Sequence, residues 1–519
     1  MVDSRPEDVP APVARTLLEM RGVTKHFGPV VANDGVDFEV QGGEVHALLG
    51  ENGAGKTTLM NVLYGLYAPD AGRIFLRGEE AAIRGPRDAM RRGIGMIHQH
   101  FMLVPTLTVV ENSILGMPSP REPFLSLKEA AAKIGELAER YRLRVDPLAR
   151  VAELSVGEQQ RVEILKALYR KADLFILDEP TAVLTPQETQ HLMPMFRALC
   201  EEGRSVIFIT HKLEEVRAFS DRVTVLRDGK RIATLRTAET ENRQLAALMV
   251  GREVFLDLEK REPRPGKGRL QVEGLCALGR EGLPALRNVS FQLHEGEILG
   301  VAGVDGNGQE ELAEVLTGLR RAASGAVRVG RKDVTNCPTR TLIRAGVAHI
   351  PSDRRRRGLV MGATLEENAI LESFDWPPFS SAGVLKSAAV RAHARELVEA
   401  YDIRASSTDQ PVRHLSGGNQ QKVILGRALH RNPGVLIAAQ PTRGLDIGAT
   451  EYVRKKLLEL REAGAAILLI SIELDEVLAL SDRIAVMYEG EIVAVVNAAE
   501  ASAEELGLWM AGARPRSAG

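Results

Sequence analysis

Short, uniformly apolar runs alternate along this chain with longer stretches in which apolar residues recur at helical spacing. Val45 to Leu49, Leu174 to Leu177, Val206 to Ile209 and Ala465 to Ile470 each end at a glycine or a polar residue. Runs this short, with no polar alternation, predict strands buried on both faces of a mainly parallel sheet, joined by helical crossovers. The fold class is therefore α/β. None of the runs approaches the roughly 18 consecutive apolar residues that a bilayer-crossing helix needs.

The pattern occurs twice. GGEVHALLGENGAGKTTLMNVLYGL from Gly42 returns as EGEILGVAGVDGNGQEELAEVLTGL from Glu295, which pairs Gly50 with Gly303. ELSVGEQQRVEILKALYRKADLFILDEPT from Glu153 returns as HLSGGNQQKVILGRALHRNPGVLIAAQPT from His414, which pairs Ser155 with Ser416. Between the copies lies a charged stretch carrying Pro263, Pro265, Gly266 and Gly268, a composition that predicts an exposed linker. The expected organisation is a flexible tail over 1–16, a domain over 17–255, a linker over 256–268, a second domain over 269–511 and a tail over 512–519.

Composition narrows the function classes. The 519 residues exceed the roughly 150 of one typical domain, and 67 Lys plus Arg against 69 Asp plus Glu leave a net charge of −2. No basic field exists to hold a polyanion, so nucleic acid is not an expected partner. Cys200, Cys276 and Cys337 have no CxxC spacing, which disfavours zinc or an iron–sulfur cluster. The acidic, proline-bearing start lacks the basic and apolar regions of a secretory signal and reads as a cytoplasmic tail. Arg354 to Arg357 reads as a solvated basic face, and His98 and His100 as solvated histidines beside Gln99.

Gly50-Glu51-Asn52-Gly53-Ala54-Gly55-Lys56-Thr57 fits GxxxxGK[ST] between a predicted strand and a predicted helix. Its glycines let successive backbone N–H groups face phosphate oxygens at a helix N-terminus. Lys56 reaches the β- and γ-phosphates, and the Thr57 hydroxyl can ligand Mg²⁺. Asp178 and Glu179 follow an apolar strand, at the end where α/β sheets bind ligands. Asp178 suits the Mg²⁺ shell and Glu179 suits a base that polarises the attacking water.

Across roughly Leu17 to Met510 the chain resembles an ABC transporter ATP-binding subunit with two fused nucleotide-binding domains. Two tandem P-loop domains are implied, each with a helical subdomain beside its sheet. The resemblance rests on the Gly50–Thr57 loop, on Gln99 as the Q-loop, and on Leu154-Ser155-Val156-Gly157-Glu158 as a variant of the LSGGQ signature. Asp178-Glu179 matches Walker B with its catalytic glutamate, and His211 the switch histidine. It implies ATP and Mg²⁺ as cofactors, with Gly50, Asn52, Gly53, Gly55, Lys56, Thr57 and Thr58 on the nucleotide. Phe27 would stack on adenine, although as a sequence position it also fits a core aromatic. Thr57, Gln99 and Asp178 would surround the metal, and Lys56, Gln99, Glu179 and His211 would serve hydrolysis.

The second copy departs from this pattern. Lys56 becomes Gln309, Thr57 becomes Glu310, Gln99 becomes Ser352, Asp178 becomes Ala439, Glu179 becomes Gln440 and His211 becomes Ile472. That pocket should not hydrolyse ATP. Yet it keeps Leu415-Ser416-Gly417-Gly418-Asn419 and Gly444-Leu445-Asp446, which resembles the D-loop. In the first copy, Val156 replaces a signature glycine and Thr185 stands where the D-loop aspartate would be. In the family each ATP lies between one domain's Walker motifs and another's signature. The resemblance thus implies one competent site, its first-copy residues closed by Ser416, Gly417, Gly418 and Asp446.

GVDGNGQEEL, HIPSDRRRRGLV and AAQPTRGLDIGA resemble the second halves of ATPases from bacterial importers of nucleosides and simple sugars. That implies two integral-membrane permease subunits, indirectly an extracytoplasmic solute-binding protein, and a place on the cytoplasmic face of the membrane. Phe101 to Pro105 and Leu359 to Met361 are the expected docking segments. A soluble two-domain ABC ATPase acting on ribosomes is the alternative, which the short linker and dismantled second copy disfavour.

Overall fold

The computed structural model describes residues 16–98, 101–117, 126–181, 186–252, 260–263, 265–279 and 282–512. The chain divides into two compact units, Met1–Val254 and Phe255–Gly519.

In the first unit a six-stranded sheet runs in the order Lys230–Arg236, Arg222–Arg227, Val45–Leu49, Ser205–Thr210, Leu174–Asp178, Ile94–Ile97. Every neighbouring pair is parallel except the first. Every residue of Val45–Leu49, Leu174–Asp178 and Ser205–Thr210 is buried, which is why these strands read as unbroken apolar runs. An antiparallel sheet of Val30–Gln41, Thr16–Phe27, Ala71–Leu76 and Glu79–Glu80 supplies a second layer. Leu18, Phe38, Leu48, Leu59, Ile176 and Ile207 share one core. Each such side chain contributes about 1.5–3 kcal/mol by leaving water. Helices Val109–Ile114, Leu127–Arg140 and Val156–Tyr169 pack on one another as a helical subdomain.

The second unit repeats this plan. Its six-stranded sheet runs Val347–Ile350, Val435–Ala439, Ala466–Ser471, Ile298–Ala302, Arg483–Tyr488, Glu491–Asn497, and its four-stranded sheet Pro284–His294, Gly268–Leu278, Ser324–Val329, Lys332–Asp333. Helices Leu365–Ala369, Ser387–Ala400 and Gly417–Leu429 form the matching subdomain. The antiparallel layer in each unit was not anticipated. Its strands alternate buried and exposed residues, a weaker signal than an apolar run.

Part of the expected linker lies against the second unit. Arg461 pairs with Asp482 at 2.8 Å, and both are buried. Lys260 Nζ lies 3.6 Å from the same carboxylate, and Arg461 Nη2 donates to the Arg261 carbonyl at 3.0 Å. A buried ion pair needs its remaining donors and acceptors satisfied, and the linker supplies one of each.

Candidate active site

Strand Val45–Leu49 runs into the loop 50–55 and then into helix Lys56–Leu63, so the loop's amides open at the helix N-terminus. Gly53 and Gly55 have φ of 88° and 93°, the left-handed region that a side chain resists. At Gly55 a Cβ would also meet the Ala32 carbonyl oxygen at 2.2 Å. Buried Asn33 donates from Nδ2 to the Gly55 carbonyl at 3.1 Å and pins the loop. Sequence reasoning missed Asn33. Its only signal was an amide at an otherwise inward-facing position of Val30–Gln41.

Lys56 is buried, and its ammonium donates to the Gly50 carbonyl at 2.7 Å and the Glu51 carbonyl at 2.9 Å. The loop thereby holds the cation above its own backbone, where phosphates would meet it. The Thr57 hydroxyl donates to Asp178 Oδ1 at 3.3 Å. Asp178 is buried beside Glu179, and burial first, then that neighbouring carboxylate, push its pKa up to about 6. Two hard oxygen donors, one of them a carboxylate short of positive charge, fit Mg²⁺.

Glu179 follows the strand at a φ of 49°, in the left-handed region that a non-glycine residue occupies only under strain. Its Oε1 lies 3.0 Å from His211 Nδ1, and that hydrogen bond chiefly holds the Glu179 pKa below the usual carboxylate range. An ionised carboxylate, aimed by a histidine from the next strand's end, can accept a proton or orient water. Behind it, Thr210 donates to Glu215 at 2.7 Å, and Thr181 hydrogen-bonds the same carboxylate. Glu215 was also missed, because one glutamate at a helix start carries no distinguishing signal.

Lys56, Thr57, Asp178, Glu179 and His211 are thus linked by contacts around one loop and adjoining strand ends. Gly50 and Asn52 belong to the same loop, and Thr58 follows in its helix. Phe27 is 42% exposed, meets Tyr67 in a T-shaped contact at 5.1 Å and has the Lys25 ammonium over its ring at 5.7 Å. Gln99, His100 and Thr185 lie outside the described residues.

In the second unit the backbone of this site survives and its chemistry does not. Gly306 and Gly308 keep φ of 88° and 101°, and Gln440 repeats the strained 49° of Glu179. Gln309 donates to the Val304 carbonyl at 3.0 Å, reproducing the posture of Lys56 without its charge. Arg357 Nη2 lies 3.4 Å from Glu310, and Nη1 pairs with buried Glu314. Around them is a cavity of about 110 Å³ that Ala439, Gln440 and Ile472 also line.

The signature serines differ in a way the motif comparison did not reveal. Both cap helix N-termini. The Ser155 hydroxyl donates to Glu158 Oε2 at 2.8 Å, which spends its proton on a carboxylate. Ser416 instead accepts from the Asn419 side-chain amide at 2.9 Å, which leaves its hydroxyl proton uncommitted to a carboxylate. The second signature therefore suits a phosphate, whereas the first presents a fixed anion.

Residues 33–182 and 286–443 match the family model described as ABC transporter. This chain belongs to the ABC transporter family. Over 503 residues the ABC protein is 50% identical to the guanosine import ATP-binding protein NupO of Bacillus subtilis (strain 168), covering 97% of this chain and 99% of that protein. It is 49% identical to the nucleoside import ATP-binding protein NupA of Lactococcus lactis subsp. cremoris (strain MG1363), covering 96% and 98%. To the glucose import ATP-binding protein TsgD13 of Haloferax volcanii it is 47% identical, covering 95% and 96%. As an ABC ATPase it binds and hydrolyses ATP. Among the described residues no helix is long and apolar enough to cross a membrane.

Proposed function

We propose that this ABC ATPase energises a membrane importer of nucleosides or simple sugars, with one competent ATP site. The observation that carries the single site is the asymmetry of chemistry on a shared backbone: lysine, hydroxyl, carboxylates and histidine in the first unit, and glutamine, glutamate, alanine and isoleucine in the second. Complementary to this, Ser416 is poised to donate while Ser155 is tied to Glu158. In this reading an ATP held by Lys56 and the loop 50–55 is closed by Ser416, Gly417, Gly418 and Asp446, of this chain or of a second copy.

In that site Lys56 neutralises charge on the transferring phosphoryl group, and the loop amides fix its orientation. Thr57 and Asp178 would hold Mg²⁺, with Gln99 added by resemblance, and the ion would supply further neutralisation of the phosphate oxygens. Glu179 orients the attacking water and takes its proton, and His211 keeps that carboxylate aimed and ionised. Half-exposed Phe27 stacks on adenine, as the resemblance implies. Each step is positioning and electrostatics, which dominate phosphoryl transfer.

Nucleosides are the favoured solute class. The loop Gly306-Asn307-Gly308-Gln309 and the relatives named for guanosine and nucleoside import support that choice. Two integral-membrane permeases are the direct partners, at the cytoplasmic face of the membrane, with a solute-binding protein acting through them. Exposed Met102, Val104 and Val360 offer apolar contacts for docking, in segments next to Gln99 and its counterpart Ser352. The test is affinity purification of the tagged chain from detergent-solubilised membranes, followed by uptake of labelled guanosine and ribose in cells lacking the chain. Co-purifying multi-span permeases and lost guanosine uptake are expected. Ribosomal proteins in their place would overturn the reading, and lost ribose uptake alone would move the solute to sugars.

A further inference from the structure

The four-arginine run is the solvated face that its charge predicts at Arg355 and Arg356, but Arg354 departs from it. Residues Arg354–Gly358 form one wide helical turn, with Gly358 N donating to the Asp353 carbonyl at 3.1 Å and Leu359 N to the Arg354 carbonyl at 2.9 Å. Such wide turns are rare and gather at functional sites. The Asp353 carboxylate caps the turn by accepting from the Arg355 and Arg356 amides, both at 3.0 Å. This geometry sends Arg355 and Arg356 to solvent, Arg357 to Glu310 and Glu314, and Arg354 inward.

Arg354 reaches the two loops that carry the second unit's intact motifs. Its Nη1 donates to the Arg443 carbonyl at 3.0 Å, immediately before Gly444-Leu445-Asp446. Its Nη2 lies so close to the first signature glycine that a Cβ on Gly417 would stand 2.8 Å from it. Its Nε is buried and has no hydrogen-bond partner among the described residues. The two loops also touch each other: a Cβ on Gly418 would meet Ala449 Cβ at 3.3 Å, and Asp446 caps the Ala449 amide at 2.8 Å. A side chain at Gly417 would have to displace this guanidinium, and one at Gly418 would press on Ala449. The first copy differs at both positions at once, with Val156 where Gly417 stands and Phe101 where Arg354 stands. A cation and a glycine have been exchanged together for two apolar side chains.

We infer that Arg354 is a positioning residue for ATP hydrolysis, its planar fork holding the Ser416–Gly418 signature and the Gly444–Asp446 loop in one fixed register. The inference rests on the reading that this signature closes over the ATP of the first unit. Arginine suits the task because a rigid fork can engage two backbone segments simultaneously, whereas a lysine ammonium on a flexible stem engages one well. Arg354 also sits two residues after Ser352, the Q-loop counterpart, so movement of that segment reaches the signature through one side chain.

The test is steady-state ATPase of the full chain carrying Arg354→Ala, Arg354→Lys or Arg355→Ala, with Ser416→Arg measured beside them. Arg354→Ala should lower kcat about tenfold and change KM for ATP less than about twofold, since the nucleotide-holding residues are untouched. Arg354→Lys should recover part of the loss, and exposed Arg355→Ala should match the parent. If Arg354→Ala does not fold, Arg354→Lys alone decides, with a kcat about threefold below the parent expected. Parental kcat in the readable variant overturns the inference, as does an equal loss from Arg355→Ala or a change confined to KM. Should Ser416→Arg leave turnover intact, the single-site reading fails first; loss there with parental Arg354→Ala turnover condemns only the role of Arg354.

Discussion

The two units share a chain path to the level of single strained residues, yet only the first carries the lysine, threonine, carboxylates and histidine on which the proposed hydrolysis rests. Gly53 and Gly306 have the same φ of 88°, and Glu179 and Gln440 the same φ of 49°. Gln309 even repeats the hydrogen-bonding posture of Lys56. Backbone strain at such positions costs on the order of 1–3 kcal/mol, and the second unit retains it without the catalytic groups it would serve. The difference teaches that the loop geometry belongs to the packing of strand on helix, while hydrolysis resides in a few replaceable side chains. In the proposed reading it also separates two roles, a unit that holds and cleaves the nucleotide and a unit that offers a signature.

The comparison breaks most easily at the cation. Lys56→Ala should reduce ATP turnover by about a thousandfold or more, since a preorganised charge on the transferring group is worth several kcal/mol. Gln309→Ala should leave most of it, and Gln309→Lys should create no second site, because Ala439, Gln440 and Ile472 remain. Steady-state phosphate release checks all three. Next, Glu179→Gln should slow hydrolysis about a hundredfold while ATP affinity stays near the parent, as a base is removed and its shape conserved. Nucleotide binding and single-turnover hydrolysis, measured on the same variant, separate those outcomes.

The signature difference is sharpened by exchanging the residues that hold each serine. Asn419→Glu should tie up the Ser416 hydroxyl and bring a carboxylate to the phosphate, lowering kcat about tenfold, whereas Glu158→Asn should change it little. Equal effects would mean that the two serines are chemically equivalent after all. A further expected effect is on stability and not on turnover. Because the folded-state pKa of Asp178 is raised to about 6, folding favours its protonated form, so nucleotide-free stability falls as pH rises from about 4 through 6. Asp178→Asn should therefore raise apparent stability at pH 8 without nucleotide, by on the order of 2 kcal/mol, and make no difference near pH 3.5. Thermal unfolding of both proteins across that range is the measurement.

Much of this was legible in the sequence, for reasons that particular residues make plain. Buried parallel strands such as Val206 to Ile209 have no polar face to confuse the reading, and GxxxxGK[ST] places glycine, lysine and threonine by strict geometric need. The triad of Thr57, Asp178 and the loop was therefore foreseeable from spacing. Contacts that depend on a particular rotamer were not. Arg354 and Arg357 are identical letters in one run, yet a wide turn sends them to different loops. Glu158 and Asn419 occupy one motif position, and only the direction of a hydrogen bond shows that they leave their serines in opposite states.

The claim that one site does the work is tested most directly by placing the same bulky cation on each signature serine in turn. Steady-state ATPase should be nearly abolished by Ser416→Arg, which blocks closure over the γ-phosphate by steric conflict, and largely spared by Ser155→Arg. Equal loss from the two substitutions would contradict one-site catalysis, and a greater loss from Ser155→Arg would show that the roles of the two signatures have been assigned the wrong way round.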